Sequence, residues 1–292
     1  MHTMNIGRRV SVFWCGIFLG CIVSTLGYLA DDSWTLSMVE NFDGPSLNTS
    51  LWNIKANQSH CCQLGKEELQ LYVPDEVFVK KGRLNIRTRF SEAGVLGPGG
   101  KRFNFTSGWI DSKMKFSQQY GKFEANCSLP PRSARGAWPA FWLMPEEDLC
   151  WPTGGEIDIF EFNADPLQDN IFGSYHWAPP KACGKDRAPI PGKSFKPAGS
   201  GDNWQEQWHV YSLEWSDTEI KYFVDGTQYF SRTSSQVDLP TNEMYIIFDQ
   251  AVDPILFPPT PSHPGKGYRD GGVLFQVEWV KVWFKKGDLT GQ

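Results

Sequence analysis

Apolar and polar residues alternate along much of this chain in short runs, and the period is two. Gly121–Leu129 reads Gly-Lys-Phe-Glu-Ala-Asn-Cys-Ser-Leu, and Trp109–Lys115 alternates in the same way. That period turns one set of side chains toward a core and the other toward water, as a half-buried strand requires. Trp208–Trp215 is another such strand. It leads through Ser216-Asp217 into Ile220–Val224, which ends on the hairpin signal Asp225-Gly226. Phe78–Arg87 reads as strand, turn, strand, with Gly82 in the turn. Met244–Val252 and Val273–Phe284 are further strands, and Pro258, Pro259, Pro261 and Pro264 mark an irregular loop between them. No window carries the 3.6-residue period of a long amphipathic helix. Short strands separated by turns, without helices, predict an all-β sandwich.

One segment breaks the alternation. Gly154–Phe162 reads Gly-Gly-Glu-Ile-Asp-Ile-Phe-Glu-Phe, three acids among strand-forming apolar residues. An isolated buried charge is costly to desolvate, so acids placed there point to chemistry. In a regular strand Glu156 and Asp158 share a face, while Glu161 falls on the other. One inserted residue, a β-bulge near Ile159 or Phe160, returns Glu161 to the face of the first two. Four strand intervals then separate Glu156 from Glu161, roughly 13 Å between Cα atoms, which two inward-leaning glutamates can bridge. Paired carboxyls are the equipment of a glycosidase, and retention needs them roughly 5–5.5 Å apart. Asp158, shorter and between them, is placed to bond Glu156, and the mutual repulsion helps keep one glutamate protonated. Two plainer readings are a solvated edge strand and a metal site. The segment contains no histidine and lacks the turn residues of a hard-cation loop, which weighs against the metal.

Composition narrows the picture. The 292 residues suffice for one large domain or two small ones, and no linker or repeat divides the chain after its N-terminal run. The 13 Trp, 9 Tyr and 20 Phe supply a core, with a few left over as platforms for sugar rings. A formal net charge of −5 and the absence of a basic block argue against a nucleic-acid partner. Arg8 and Arg9 precede an apolar run from Val10 to Ala30, and Asp31 and Asp32 follow it. This order suits a signal peptide or an uncleaved signal anchor with the N-terminus in the cytosol, so residues 1–30 are expected to direct residues 31–292 into the secretory lumen. Sequons at Asn48, Asn57, Asn104 and Asn126 agree with that route. Cys61, Cys62, Cys127, Cys150 and Cys183 would meet an oxidising compartment, where five thiols form at most two bridges within the domain. Their connectivity is open; a Cys150–Cys183 bridge would fasten loops on either side of the acidic segment.

The acidic segment Gly155–Glu161 resembles the active-site signature of glycoside hydrolase family 16 in its bulged form, E-x-D-x-x-E. Glu40–Gly44, Glu68-Leu-Gln-Leu-Tyr72, Tyr120–Ala125, Gly136–Pro145, Trp208–Trp215 and Val277–Trp283 resemble other strands of that family, covering about Thr35 to Lys286. The resemblance implies a jelly-roll sandwich of two curved antiparallel sheets with a cleft on the concave face. It implies Glu156 as nucleophile, Asp158 as its helper and Glu161 as acid/base, with Trp138, Trp142, His176 and Trp215 as candidate sugar contacts. It implies no required cofactor, and a structural calcium at Glu40 and Glu278, opposite the cleft. The bulged form is typical of laminarinase-like endo-β-1,3-glucanases, and occurs also in some agarases and carrageenases. The expected activity is retaining endo-hydrolysis of β-1,3 or mixed β-1,3/1,4 glucan by a monomer that touches a membrane only through residues 1–30. A membrane-anchored wall-remodelling transglycosylase and a non-hydrolytic β-glucan recognition protein are the alternatives. This chain departs from the family pattern at Lys66-Glu67, Trp109, Asn126 and Phe248–Pro254, positions that shape subsites away from the catalytic bond.

Overall fold

Two stacked sheets carry the chain in a computed structural model that describes residues 34–57, 68–164, 170–179, 184, 193–195, 204–254, 260, 264 and 267–285. The strands in chain order begin with β1 (Trp34–Glu40), β2 (Asn53–Ile54), β3 (Gln70–Tyr72), β4 (Val77–Val79), β5 (Leu84–Leu96) and β6 (Arg102–Ser107). There follow β7 (Trp109–Asp111), β8 (Ser117–Gln118), β9 (Gly121–Ser128), β10 (Ala137–Pro145), β11 (Glu156–Phe162) and β12 (Ile171–His176). The last are β13 (Lys193–Phe195), β14 (Trp208–Trp215), β15 (Glu219–Val224), β16 (Thr227–Thr233), β17 (Met244–Val252) and β18 (Val273–Lys285). The first sheet runs β16-β15-β14-β9-β18-β5-β6-β3, with β1 beside β18 and β4 beside β5. The second runs β13-β12-β11-β10-β17-β7-β2, with β8 beside β17. Among these pairings only β3 with β6 is parallel. The all-β sandwich expected from the alternation is the fold observed, and the described residues lie within one compact unit, Ser33–Gln292.

Local chemistry explains where the strands turn. Lys81 and Gly82 both have positive φ, 58° and 66°, and the Lys80 N–H donates to the Arg83 carbonyl at 2.9 Å. Asp225 and Gly226 repeat that pair at 48° and 74°. Two consecutive left-handed residues make the turn whose twist matches a two-residue hairpin. Trp109–Lys115 forms less strand than its alternation suggests. β7 stops at Asp111 because the Ser112 carbonyl accepts the N–H groups of Lys115 and Phe116, closing a turn through Met114 at φ 59°. Here local hydrogen bonds outweigh the two-residue period.

The sheets meet through aromatic packing. Phe141 of β10 stacks on Phe248 of β17 at 4.6 Å. Phe160 of β11 crosses to the other sheet, 4.2 Å from Tyr211 and 5.9 Å from Phe275 between ring centroids. Full burial of one such ring contributes about 1.5–3 kcal/mol. A second device lies at the other sheet: Glu76, fully buried, accepts Arg87 Nε at 2.6 Å, Arg89 Nε at 2.7 Å and Thr106 Oγ1 at 2.7 Å. This carboxylate ties the turn before β4 to β5 and β6.

Cys127 is a free thiol buried in the core, where it packs as a small apolar residue. Cys150 is disulfide-bonded. Its partner lies outside the described residues, as do Cys15, Cys21, Cys61, Cys62 and Cys183. The Val10–Ala30 run, Lys66-Glu67, Pro258, Pro259 and Pro261 lie outside them too. Among the described residues no helix is long and apolar enough to cross a membrane.

Candidate active site

The acidic strand sits near the middle of the second sheet, between β10 and β12. Its register shows the bulge directly. Against β10, Asp158 pairs with Trp142 and Phe160 with Phe141, leaving Ile159 over. Against β12, Asp158 pairs with Ser174 and Glu161 with Phe172, so Ile159 and Phe160 together face Gly173. Both Ile159 and Phe160 enter the core between the sheets, next to Ile157 and Phe162. Two consecutive core residues reset the alternation, and Glu156, Asp158 and Glu161 emerge on one face. Tyr229 holds the bulge by donating its hydroxyl to the Ile159 carbonyl at 2.7 Å. Gly173 leaves it room, since a Cβ there would lie 2.5 Å from the Tyr229 hydroxyl.

That face floors a cleft of about 350 Å³, walled by Glu68, Trp109, Trp138, Ala140, Trp142, Glu156, Asp158, Glu161, Asp249 and Ala251. Each terminal glutamate takes one indole N–H: Trp151 Nε1 donates to Glu156 Oε2 at 2.7 Å, and Trp138 Nε1 donates to Glu161 Oε1 at 3.0 Å. His176 is opposite Glu156 in the β11–β12 register, with Nε2 3.3 Å from Asp158 Oδ2. Burial pushes the Glu161 carboxyl well above its ordinary value, and the charges of Asp158 and Glu156 push it further. His176 and the Trp138 hydrogen bond oppose this rise without cancelling it. The group furthest along the strand therefore holds a proton at a pH where an ordinary carboxyl is ionised.

The expected sugar contacts divide. Trp138 and Trp142 line the cleft, Trp142 also donating its Nε1–H to Asp249 Oδ1 at 2.9 Å. His176 is not among the walls; it stands beside the acids, next to Asp158. Trp215 is a correction. The alternation of β14 turns it inward with Tyr211 and Leu213, where it is 2% exposed and packs on Tyr120 at 5.1 Å, away from the cleft. The metal reading also changes. Among the described residues, the cluster with metal-ligand geometry is Glu156, Asp158 and His176, whose ligand atoms lie within 4.8 Å of one another. The missing histidine comes from the neighbouring strand. At the position expected for calcium, Glu40 Oε1 accepts the Phe42 N–H at 2.8 Å and the buried Oε2 has no partner. That orphaned oxygen fits a cation, whereas Glu278 is engaged by Asn126 Nδ2 at 2.7 Å.

Three residues of the site carried no role in the sequence reading. Trp151 precedes the acidic strand in a loop, and only the loop's path brings it to Glu156. Glu68 and Asp249 come from segments 181 positions apart, and Tyr72 binds both, at 3.4 Å and 2.6 Å. Their signal was weak: Glu68 belongs to the Glu-Leu-Gln-Leu-Tyr segment, and Asp249 to a departure from the family pattern.

Known proteins resemble this chain in sequence and fold. A glucan endo-1,3-beta-glucosidase A1 of Niallia circulans is 29% identical over 210 residues, 68% of this chain but 29% of that protein. A beta-glucanase of Rhodothermus marinus is 29% identical over 235 residues, 76% of this chain and 74% of its own. The solved endo-beta-1,3-glucanase of Pyrococcus furiosus superposes with a TM-score of 0.70 at 25% identity, over 86% of this chain and 95% of that one. The family model described as glycosyl hydrolases family 16 matches residues 48–251. The bulged acid strand, its cleft and that match lead to one conclusion: the chain belongs to glycosyl hydrolase family 16.

Proposed function

We propose that this protein is a retaining endo-β-glucanase that cleaves β-1,3 or mixed β-1,3/1,4 glucan by double displacement. The observation that carries the reading is the bulge, which brings Glu156, Asp158 and Glu161 to one face of a cleft, where burial and the neighbouring acids push Glu161 toward its protonated form. Glu156 attacks the anomeric carbon as the bond to the glycosidic oxygen breaks, and that oxygen takes the Glu161 proton. Water then attacks the same carbon, gives a proton to Glu161 and releases Glu156. Trp151 orients the Glu156 carboxyl, and the Asp158–His176 contact steadies the charge beside it. The names of the relatives in both the β-1,3 and β-glucanase classes support this substrate range. Retention of all three acids weighs against a recognition protein without hydrolytic activity. Glu156→Gln is expected to abolish release of reducing ends from laminarin while the fold and laminarin binding persist. Wild-type turnover in that variant would sink the proposal. Proton NMR of the first product should show the β-anomer, and an added acceptor oligosaccharide tests transfer against hydrolysis.

Delivery to the secretory lumen is part of the same proposal, resting on the Arg8-Arg9 and apolar run. The exposed sequons Asn48 and Asn57 are the expected glycan carriers. Asn104 and Asn126 are half-buried and already donate their amide nitrogens, to the Ser91 carbonyl and to Glu278. N-terminal sequencing and peptide mapping of secreted protein test cleavage and glycan position. A structural calcium at Glu40 is tested by the shift in melting temperature on chelation.

A further inference from the structure

A second hollow lies at the outer face of the first sheet, across the sandwich from the acids. β9 begins at Gly121, opposite Trp215, while β18 runs past it to Lys285. The notch left between β18 and β14 has a volume of about 320 Å³. Its walls include Trp34 of β1, Glu214 and Trp215 at the end of β14, Glu219 and Lys221 of β15, and Lys285 of β18. Glu214 and Lys221 alternate with the core residues Leu213 and Ile220, so they face away from the core, and Trp215 closes the hollow from below. Lys285 Nζ lies over the Trp34 ring at 4.9 Å, and Lys221 pairs with Glu219 at 2.7 Å. Three groups are left unmet by the described residues. The Glu214 carboxylate accepts no hydrogen bond, the Lys285 ammonium reaches no carboxylate, and the buried Trp215 Nε1–H has no partner. Along the sheet the surface continues from Glu214 to its neighbour Lys122 and on to Trp283, over whose ring Lys122 Nζ lies at 5.4 Å.

We propose that this hollow is a second saccharide site, outside the catalytic cleft, which holds a ring of the polysaccharide that the cleft cleaves. Two carboxylates and two ammonium groups line it, so its charge favours neither an anion nor a cation. The walls call for a neutral ligand that both accepts and donates. Ring hydroxyls do both: their oxygens answer the Lys285 ammonium and the Trp215 indole, and their protons answer Glu214. The C–H face of a sugar ring suits the Trp34 and Trp283 indoles, and the volume suits one ring better than several. In a particle of insoluble glucan, different chains meet opposite faces of one protein molecule. A chain held in the hollow therefore keeps the cleft among its neighbours at high effective concentration. The identity of the polymer rests on the glucanase reading; the presence of the hollow does not.

Lysine acetylation read by mass spectrometry tests the site on the Glu156→Gln protein, which does not consume its ligand. Laminarin at about ten times its dissociation constant is expected to slow labelling of Lys221 and Lys285 about tenfold and to leave the exposed Lys80 and Lys81 unchanged. In the otherwise wild-type protein, Trp34→Ala and, separately, Glu214→Ala should lower retention on insoluble β-1,3-glucan about tenfold, while kcat/KM on a soluble β-1,3-glucotriose keeps its wild-type value. Unchanged labelling of Lys221 and Lys285 overturns the site even if neither surface variant folds, as does wild-type retention in both variants. Protection by anionic phospholipid vesicles in place of laminarin would assign the face to a membrane and overturn the proposal too. Failure of the wild-type protein to release reducing ends from laminarin would instead overturn the glucanase reading, and protection of the two lysines would then still show a saccharide site.

Discussion

Glu76, fully buried between strands, and Glu161, half-buried at the wall of the cleft, are two acids of the same sandwich in different surroundings. Glu76 has two arginines and a threonine, with both carboxylate oxygens met by guanidinium Nε–H groups. Glu161 has an indole N–H from Trp138 at 3.0 Å, a weak Ser174 contact at 3.5 Å, and two other acids nearby. Permanent cations pair with a buried carboxylate and turn it into a structural clamp. Neutral donors and like charges leave a carboxyl that binds its proton tightly and can give it up during a reaction. What separates the clamp from the proposed catalyst is therefore the partners, together with the cleft, to which Glu161 is partly open and Glu76 is closed.

The comparison can be broken from either side. The largest effect is expected from Glu161→Gln, which should lower kcat on laminarin by about 10²–10⁴-fold with the fold retained. Loss of folding in place of loss of turnover would place Glu161 among the clamps. Glu76→Gln should do the opposite. It should cost about 3–5 kcal/mol of stability by stranding two arginines, with kcat of the folded fraction unchanged, as read by urea denaturation beside steady-state kinetics.

Glu68 sharpens the comparison through pH. Its folded value lies above its unfolded one, 4.5 rising to about 8. The stabilisation from its bound proton is complete below the unfolded value and is lost as pH rises through the folded one. Stability should thus fall by a few kcal/mol between about pH 4.5 and 8, and Glu68→Gln should flatten that slope. A variant with the wild-type slope would assign the loss to other groups. The smallest effect is expected from Trp138→Phe. Losing the N–H that favours ionised Glu161 should move the alkaline limb of kcat/KM upward. A downward move would mean that Trp138 favours the protonated form instead.

Much of this was legible in the chain. Trp208–Trp215 and Met244–Val252 form strands with the bounds their alternation suggested, because a strand's period is local and each residue reports its own face. The bulge was legible for the same reason, since three acids spaced two and three apart can share a face only if one residue is extra. Trp215 was misplaced because aromatic type says nothing about which face of a sheet a residue occupies. The parity of β14 decides that, and it points into the core.

By itself, then, the sequence determined the strand-rich class, the bulge and the identity of the three acids, all of which depend on neighbours a few residues apart. Tertiary structure alone decided that His176 stands against Asp158, that Trp151 reaches Glu156, and that Glu68 and Asp249 share Tyr72. Those contacts follow from strand order and register, which join residues across as many as 181 positions, and from burial, which raises a carboxyl's proton affinity only once the sheets have closed around it.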